Sequence, residues 1–240
     1  MLLLPAIDIM NGKCVRLYRG RFEQVTTYNE YPLDMARFFV KEGADFLHIV
    51  DLDGAREGEI KNFKTIHQIC KAISIPIEVG GGIRHKKDIA KILDAGVSRV
   101  ILGTAAVEDL KWLKKVLQKF DAKKIVIGLD VHGDKVATHG WEKASEIDVF
   151  DFAKELEDLG VKRIIYTDIS RDGTLTSPNF ELGEKLIQLT DLKIIASGGV
   201  TTFKHLEILR DMGIEGAIIG KALYEGKINL AEVKKKLEKK

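Results

Sequence analysis

Two aspartates, Asp8 in "PAID" and Asp130 in "IGLD", each close a short apolar run. A carboxylate at the end of a buried strand is placed for acid or base work, and two of them in unlike environments can divide it, one holding a proton while the other takes one. A second set of features is written twice. "GGGI" at 80–83 and "SGGV" at 197–200, then "LGTAAVED" at 102–109 and "IGKALYEG" at 219–226, set glycines just before a helix-like segment. Glycine lets backbone N–H groups approach an anion closely, and a helix N-terminus adds partial positive charge, so each set reads as a phosphate cradle. Tight strand-to-helix turns use glycine too, but duplication of the whole set favours two phosphate sites, and hence a substrate carrying phosphate at both ends. "SRDGTLTSPN" offers Asp172, Gly173 and Thr174 as a further backbone cradle beside the second site.

The elements that must carry these residues alternate. Eight apolar, β-branched runs, "LLLPAI", "ADFLHIV", "IPIEV", "SRVILG", "KIVIGL", "KRIIYT", "LKIIA" and "EGAIIG", read as continuously apolar strands covered on both faces. Amphipathic stretches such as "PLDMARFFVKEG" and "KKDIAKILDAG" lie between them with a glycine at the exit. Eight strand-helix units in 240 residues predict one (β/α)8 TIM barrel, with a doubly wound open sheet as the alternative.

An internal repeat sharpens that expectation. At a constant offset of 117 positions, as from Gly43 to Gly160, Asp51 meets Asp168, Asn62 meets Asn179 and Phe63 meets Phe180. Gly81 and Gly82 likewise meet Gly198 and Gly199, Gly103 meets Gly220 and Glu108 meets Glu225. Two copies of four units predict a barrel of two half-barrels, approximately 1–120 and 121–240, with a pseudo-twofold axis along it. Asp8 and Asp130 then open the two halves and fall near that axis, between the phosphate sites.

Strand alternation turns Thr167 inward, where it can hold a substrate hydroxyl or orient Asp130. His48 in "LHIVD" is another inward-facing candidate, although a lone histidine often only fills a core. Asp51 and Asp168 read as structural groups that hold loop backbone. "NGKCVRLYRG" and "VHGDKVATHGW" read as hairpins covering a ligand, in which Arg16 and Arg19 meet its charge and Trp141 stacks on a planar ring.

Composition excludes other classes. With 38 basic and 36 acidic residues the net charge is +2, and no basic block stands out before the terminal "KKKLEKK", so nucleic acid is not expected as a partner. "MLLLPAID" is neither a secretory signal nor a membrane span, and a cytoplasmic location is expected. Cys14 and Cys70 lie in dissimilar contexts and are expected as free thiols. Histidines and cysteines show no ligand spacing and "GGGIRH" is no dinucleotide fingerprint, so no metal or other cofactor is expected. A monomer is the expected state.

The segments "PAIDIMNGKCVRLYRG", "HIVDLDGA", "VGGGIR", "GLDVHGDKVATHGW", "YTDISRDGT", "ASGGV" and "IGKALYEG" together resemble the histidine-biosynthesis isomerase family that acts on a phosphoribosylformimino-aminoimidazole-carboxamide ribotide. The resemblance covers essentially the whole chain. It implies a cofactor-free Amadori rearrangement of an aminoaldose to an aminoketose, with Asp8 as the base at C2, Asp130 as the acid at the ribose ring oxygen and Thr167 assisting Asp130. By itself the sequence does not decide which aspartate does which. The resemblance also implies that Gly81, Gly82, Gly103 and Thr104 hold one phosphate, and Gly173, Gly198, Gly199, Gly220 and Lys221 the other. Alternatives are the sister cyclase subunit of the same pathway, a dual-substrate isomerase that also serves tryptophan synthesis, and a non-catalytic phosphate-binding barrel. The cyclase typically reads "CLD" where this chain has "AID" and lacks "HGW"; mere binding gains nothing from two carboxylates facing an anion.

Overall fold

A computed structural model describes residues 1–18, 20–138 and 143–238. Its strands are β1 (Leu2–Met10), β2 (Lys13–Tyr18), β3 (Arg21–Asn29), β4 (Leu47–Asp51), β5 (Ile77–Gly80) and β6 (Arg99–Leu102), then β7 (Ile125–His132), β8 (Lys135–Thr138), β9 (Lys143–Asp148), β10 (Arg163–Asp168), β11 (Lys193–Ser197) and β12 (Gly216–Ile219). Eight of them close a parallel barrel in the order β1, β4, β5, β6, β7, β10, β11, β12, which returns to β1. Registers such as Ala6 with His48, Asp130 with Thr167, and Leu3 with Ala217 fix the ring. This is a single-domain (β/α)8 TIM barrel. The other four strands form antiparallel extensions at the two points where a hairpin was read, β2 and β3 after β1, and β8 and β9 after β7.

Alternation decides which side chains enter the barrel. Leu4, Ala6, Ile101, Val126, Ile165, Ile195 and Ile218 pack inside it with Phe46, while the outward residues, such as Leu3, Ile7, Ile49 and Val79, meet the helices in the larger core. The strands are not continuously apolar, as had been expected. His48, Glu78 and Arg163 are buried on β4, β5 and β10, and Arg99 on β6 joins Glu78. Charge is tolerated there because it is paired: Glu78 lies between His48 and Arg99, and Arg163 bonds Glu215.

The repeat is visible in loop geometry. Asp51 Oδ1 and Oδ2 accept from the backbone N–H groups of Gly54, Lys61 and Asn62 and from Asn62 Nδ2 at 2.7–2.9 Å. Asp168 accepts from Ser170 N–H and Oγ and from Asn179 Nδ2 at 2.6–2.9 Å. The loops so held form the wall against which the next glycines lie. A Cβ on Gly81 would come 2.2 Å from the Asp51 carbonyl oxygen, and one on Gly199 2.2 Å from that of Ser177. Gly103 and Gly220 adopt the same backbone, φ −102, ψ −112 and φ −103, ψ −109. Glycine exits at 43, 96, 160 and 213 follow the helices Pro32–Lys41, Lys86–Asp94, Val149–Asp158 and Phe203–Asp211.

Gly199 has φ +78 as well as no room for a Cβ, so Gly199→Ala is expected to destabilise the fold by about 2 kcal/mol or more. Gly133, at φ +66 in the β7–β8 turn with nothing within 4 Å of its Cβ position, makes the comparison. Gly133→Ala should lose only the left-handed strain, about 1 kcal/mol. Equal melting temperatures for the two variants would show that Ser177 does not press on Gly199.

Candidate active site

The C-terminal ends of the barrel strands surround one cavity, and strand order alone sets its symmetry. Counting either way round the ring, β1 and β7 are four strands apart, so Asp8 and Asp130 stand on opposite walls. The β5–β6 loops face the β11–β12 loops in the same way, roughly at right angles to the aspartates. Gly81, Gly82, Gly103 and Thr104 line one end; Gly198, Gly199, Gly220 and Lys221 line the other. The helices after Gly103 and Gly220, Thr104–Glu108 and Lys221–Tyr224, are single turns. Their dipoles are correspondingly small, so any anion held here would depend mainly on the backbone of the glycine loops.

Arg16 organises the Asp8 wall. From β2 its Nη1 donates to Asp8 Oδ2 at 2.7 Å and its Nη2 to the Ala6 carbonyl at 2.6 Å. The guanidinium lies over the Tyr224 ring, 5.3 Å from its centroid, and fills the space where a Cβ on Gly220 would stand. Tyr224 is fixed in turn, its hydroxyl donating to the same Ala6 carbonyl at 2.9 Å. Arg16 Nε is buried without a partner, an unmet donor at the edge of the second glycine cluster.

Asp172 lies within electrostatic reach of Arg16, Asp8 and Asp130. Burial pushes its pKa up to about 6; Arg16 opposes the rise, and the two neighbouring carboxylates add to it. Lys221 Nζ donates to the Gly173 carbonyl at 3.2 Å and so ties the β10 loop to the β12 loop. Thr167, the neighbour of Asp130 across the β7–β10 pair, lines the cavity, as does His48, whose Nδ1 lies 2.9 Å from Glu78 Oε1.

The expected residues do not all converge. Thr174 is absent from the cavity lining: its hydroxyl donates to the Arg171 carbonyl at 2.6 Å and meets Thr176 Oγ1 at 2.9 Å. The loop thus uses that side chain to close its own turn, and only Asp172 and Gly173 of the three face the cavity. Arg19 and Trp141 lie outside the described residues. Arg84, Ser197 and Thr201 also line the cavity and were not singled out from sequence. Arg84 stands in "GGGIRH", where a cation close behind a glycine run was the available signal. Among the described residues no three of His, Cys, Asp or Glu are grouped to hold a metal ion, and no helix is long and apolar enough to cross a membrane.

A family model described as "Histidine biosynthesis protein" matches residues 2–229. A protein of Clostridium botulinum is 48% identical over 239 residues, covering 100% of this chain and 98% of its own. One from Oceanobacillus iheyensis is 49% identical and one from Bacillus cereus 51% identical, each over 233 residues and 97% of both chains. All three bear the name 1-(5-phosphoribosyl)-5-((5-phosphoribosylamino)methylideneamino)imidazole-4-carboxamide isomerase.

The raised pKa of Asp172 ties stability to pH. A carboxyl whose folded pKa lies above its unfolded value favours the fold at low pH, and that contribution is lost as pH rises from about 4 through about 6. Asp172→Asn should therefore melt higher than wild type at pH 8 and approach it at pH 4. Melting curves at both pH values test this, and a difference that does not change with pH would refute it.

Proposed function

The chain belongs to the histidine biosynthesis protein family, and we propose that it is the isomerase that converts the bisphosphorylated aminoaldose ribotide named in its relatives into the corresponding aminoketose. The observation that carries the reading is the crossed arrangement of the site. Two glycine clusters face one another at the distal ends of the cavity and two carboxylates face one another between them. A substrate with a phosphate at each end, anchored at both, would lay its reacting ribose between Asp8 and Asp130.

The rearrangement needs a proton delivered to the ribose ring oxygen, which breaks the C1–O bond and leaves an iminium at C1. It then needs the C2 proton removed, which gives an enamine whose tautomer is the ketose. On this reading Asp8 is the base at C2, held in place by Arg16 Nη1 at 2.7 Å. Asp130 is the acid at the ring oxygen, oriented by Thr167 on the next strand. Asp172, facing both and protonating near pH 6, supplies a proton reserve on the same cavity face. Arg16 offers its unmet Nε to the bound anion. Arg84 serves the first glycine cluster and Lys221 the second as cations, and Arg19 and Trp141 belong to the covering hairpins. No step calls for a cofactor. The reading keeps a monomer as the expected state and the cytoplasm as the expected location, in line with a biosynthetic enzyme of this family. We read the chain as two half-barrels, approximately 1–120 and 121–240, supported by matching contacts at Asp51 and Asp168.

Purified protein given the aminoaldose ribotide, with a chelator and without ammonia, should form the ketose. Asp8→Asn and Asp130→Asn should each lower kcat by ~100 to 10,000-fold. Turnover within tenfold of wild type in either variant would remove that residue from its role. Activity lost to the chelator would end the cofactor-free reading, and ammonia-dependent ring closure of supplied ketose would identify the sister cyclase instead. Crystals grown in phosphate should carry an anion at both glycine clusters; an anion at one alone would leave the other as a plain turn.

A further inference from the structure

A column of charge runs down one side of the barrel interior. His48 on β4 lines the cavity, and its Nδ1 lies 2.9 Å from Glu78 Oε1. Glu78 on β5 is fully buried, and its Oε2 accepts from Arg99 Nη1 on β6 at 3.4 Å. The Arg99 guanidinium is stacked on Phe46, 4.1 Å from the ring centroid. No described residue bonds His48 Nε2, which belongs to a ring at the cavity wall.

The repeat supplies an internal control for this column. At the offset of 117, His48 corresponds to Ile165, Glu78 to Ile195 and Arg99 to Gly216. Ile165 and Ile195 are packed in the apolar cluster inside the barrel. At the His48 and Glu78 positions the scaffold therefore holds isoleucines in one half and ionisable side chains in the other, while the Arg99 position becomes a glycine and that half has the separate Arg163–Glu215 ion pair instead. Packing does not require the charges, and a buried ion set has no intrinsic advantage over well-packed apolar groups. What the charged version supplies that the apolar one does not is a histidine with a defined proton position.

We infer that Glu78 and Arg99 are positioning residues for catalysis: they hold His48 with its proton on Nδ1, so that the Nε2 lone pair faces the cavity and accepts a hydrogen bond from a ribose hydroxyl of the substrate. The chemistry is direct. A carboxylate can only accept, so Nδ1 must donate to Glu78, and in neutral imidazole the other nitrogen is then the acceptor. Arg99 Nη1 engages the second carboxylate oxygen at 3.4 Å and so helps to hold Glu78 in this orientation. This inference rests on the proposed isomerase for its kinetic consequence only; the proton position on His48 is a property of the free protein.

Two variants and two readouts test it on the full chain. Glu78→Gln keeps the volume but has one acceptor oxygen, which Arg99 takes, so the amide NH2 faces Nδ1 and drives the proton to Nε2. The double variant Glu78→Ile with Arg99→Met removes both charges together, with isoleucine at position 78 as in Ile195 of the other half and a methionine against Phe46. Nitrogen-15 NMR of histidine-labelled protein without substrate should show His48 protonated on Nδ1 in wild type, and on Nε2 to a substantial extent in both variants. Steady-state kinetics should show kcat falling about tenfold or more with KM nearly unchanged, since an orienting contact realised in the transition state is lost. The double variant should melt close to wild type, which separates the effect from a structural one. Wild-type kcat in the folded double variant, or an Nε2-protonated His48 in wild type, would overturn the inference; if the double variant fails to fold, Glu78→Gln decides on the same two readouts. Wild-type protein that turns over no ribotide would instead defeat the isomerase reading, while the NMR result would still decide the proton position.

Discussion

The glycine loops at the mouth of this barrel hang on two buried carboxylates at strand ends. Asp51 and Asp168 each end a strand and gather the following loop by accepting several hydrogen bonds at once, including one from the amide of Asn62 or Asn179. Bonds to an ionised acceptor are the strong kind, about 1.5–3 kcal/mol each, and a carboxylate has room for several. The loops so fixed press on Gly81 and Gly82, and on Gly198 and Gly199, closely enough that no side chain fits. A glycine loop clamped in this way has its N–H groups oriented before any ligand arrives. Preorganised donors need no rearrangement when charge appears, which is the condition for binding a phosphate firmly from backbone alone.

The two halves share this scaffolding and diverge in the charges hung on it. Thr104 faces Lys221 across the repeat, Arg84 faces Thr201, and the His48, Glu78 and Arg99 column faces two isoleucines and a glycine. Left-handed geometry is shared even where the residue is not. Gly58 at φ +80 corresponds to Leu175 at φ +58, a leucine held in a conformation that its Cβ disfavours, at the cavity wall. Duplicated backbone suits a ligand whose two ends are alike, and unlike side chains suit one whose middle is not. That division matches an aminoaldose carrying two phosphates: the ends ask for the same thing, the ribose between them does not.

What could be read from sequence follows the same division. Strands, helix exits, the hairpins, the glycine clusters and the structural character of Asp51 and Asp168 depend on local residue type or on the constant offset, so they were legible. Side-chain contacts between different strands were not. Glu78 meets His48 and Arg99 only because barrel closure sets β4, β5 and β6 side by side with a register that no spacing in the chain reveals. "IPIEV" and "SRVILG" read as apolar strands, and the charges inside them become intelligible only as partners. The side-chain contact of Thr174 was equally hidden: in a turn rich in Thr and Ser the hydroxyl can bond its own loop, and here it donates to the Arg171 carbonyl.

The arrangement of Arg16 draws the halves into one site. Its guanidinium belongs at once to Asp8, which it bonds, and to Gly220, against which it packs. On the proposed reading Asp8 is the base of the first half and Gly220 a phosphate seat of the second, so one cation is shared between the reacting carboxylate and the anchoring anion. An anion seated at Gly220 competes with Asp8 for that cation, and it does so only when the substrate's far end is in place. On the proposed reading a phosphate seated there brings a second anion to Arg16 beside the Asp8 carboxylate. On that reading the phosphate seat and the reacting carboxylate meet at one guanidinium, so anchoring and chemistry are not independent of each other.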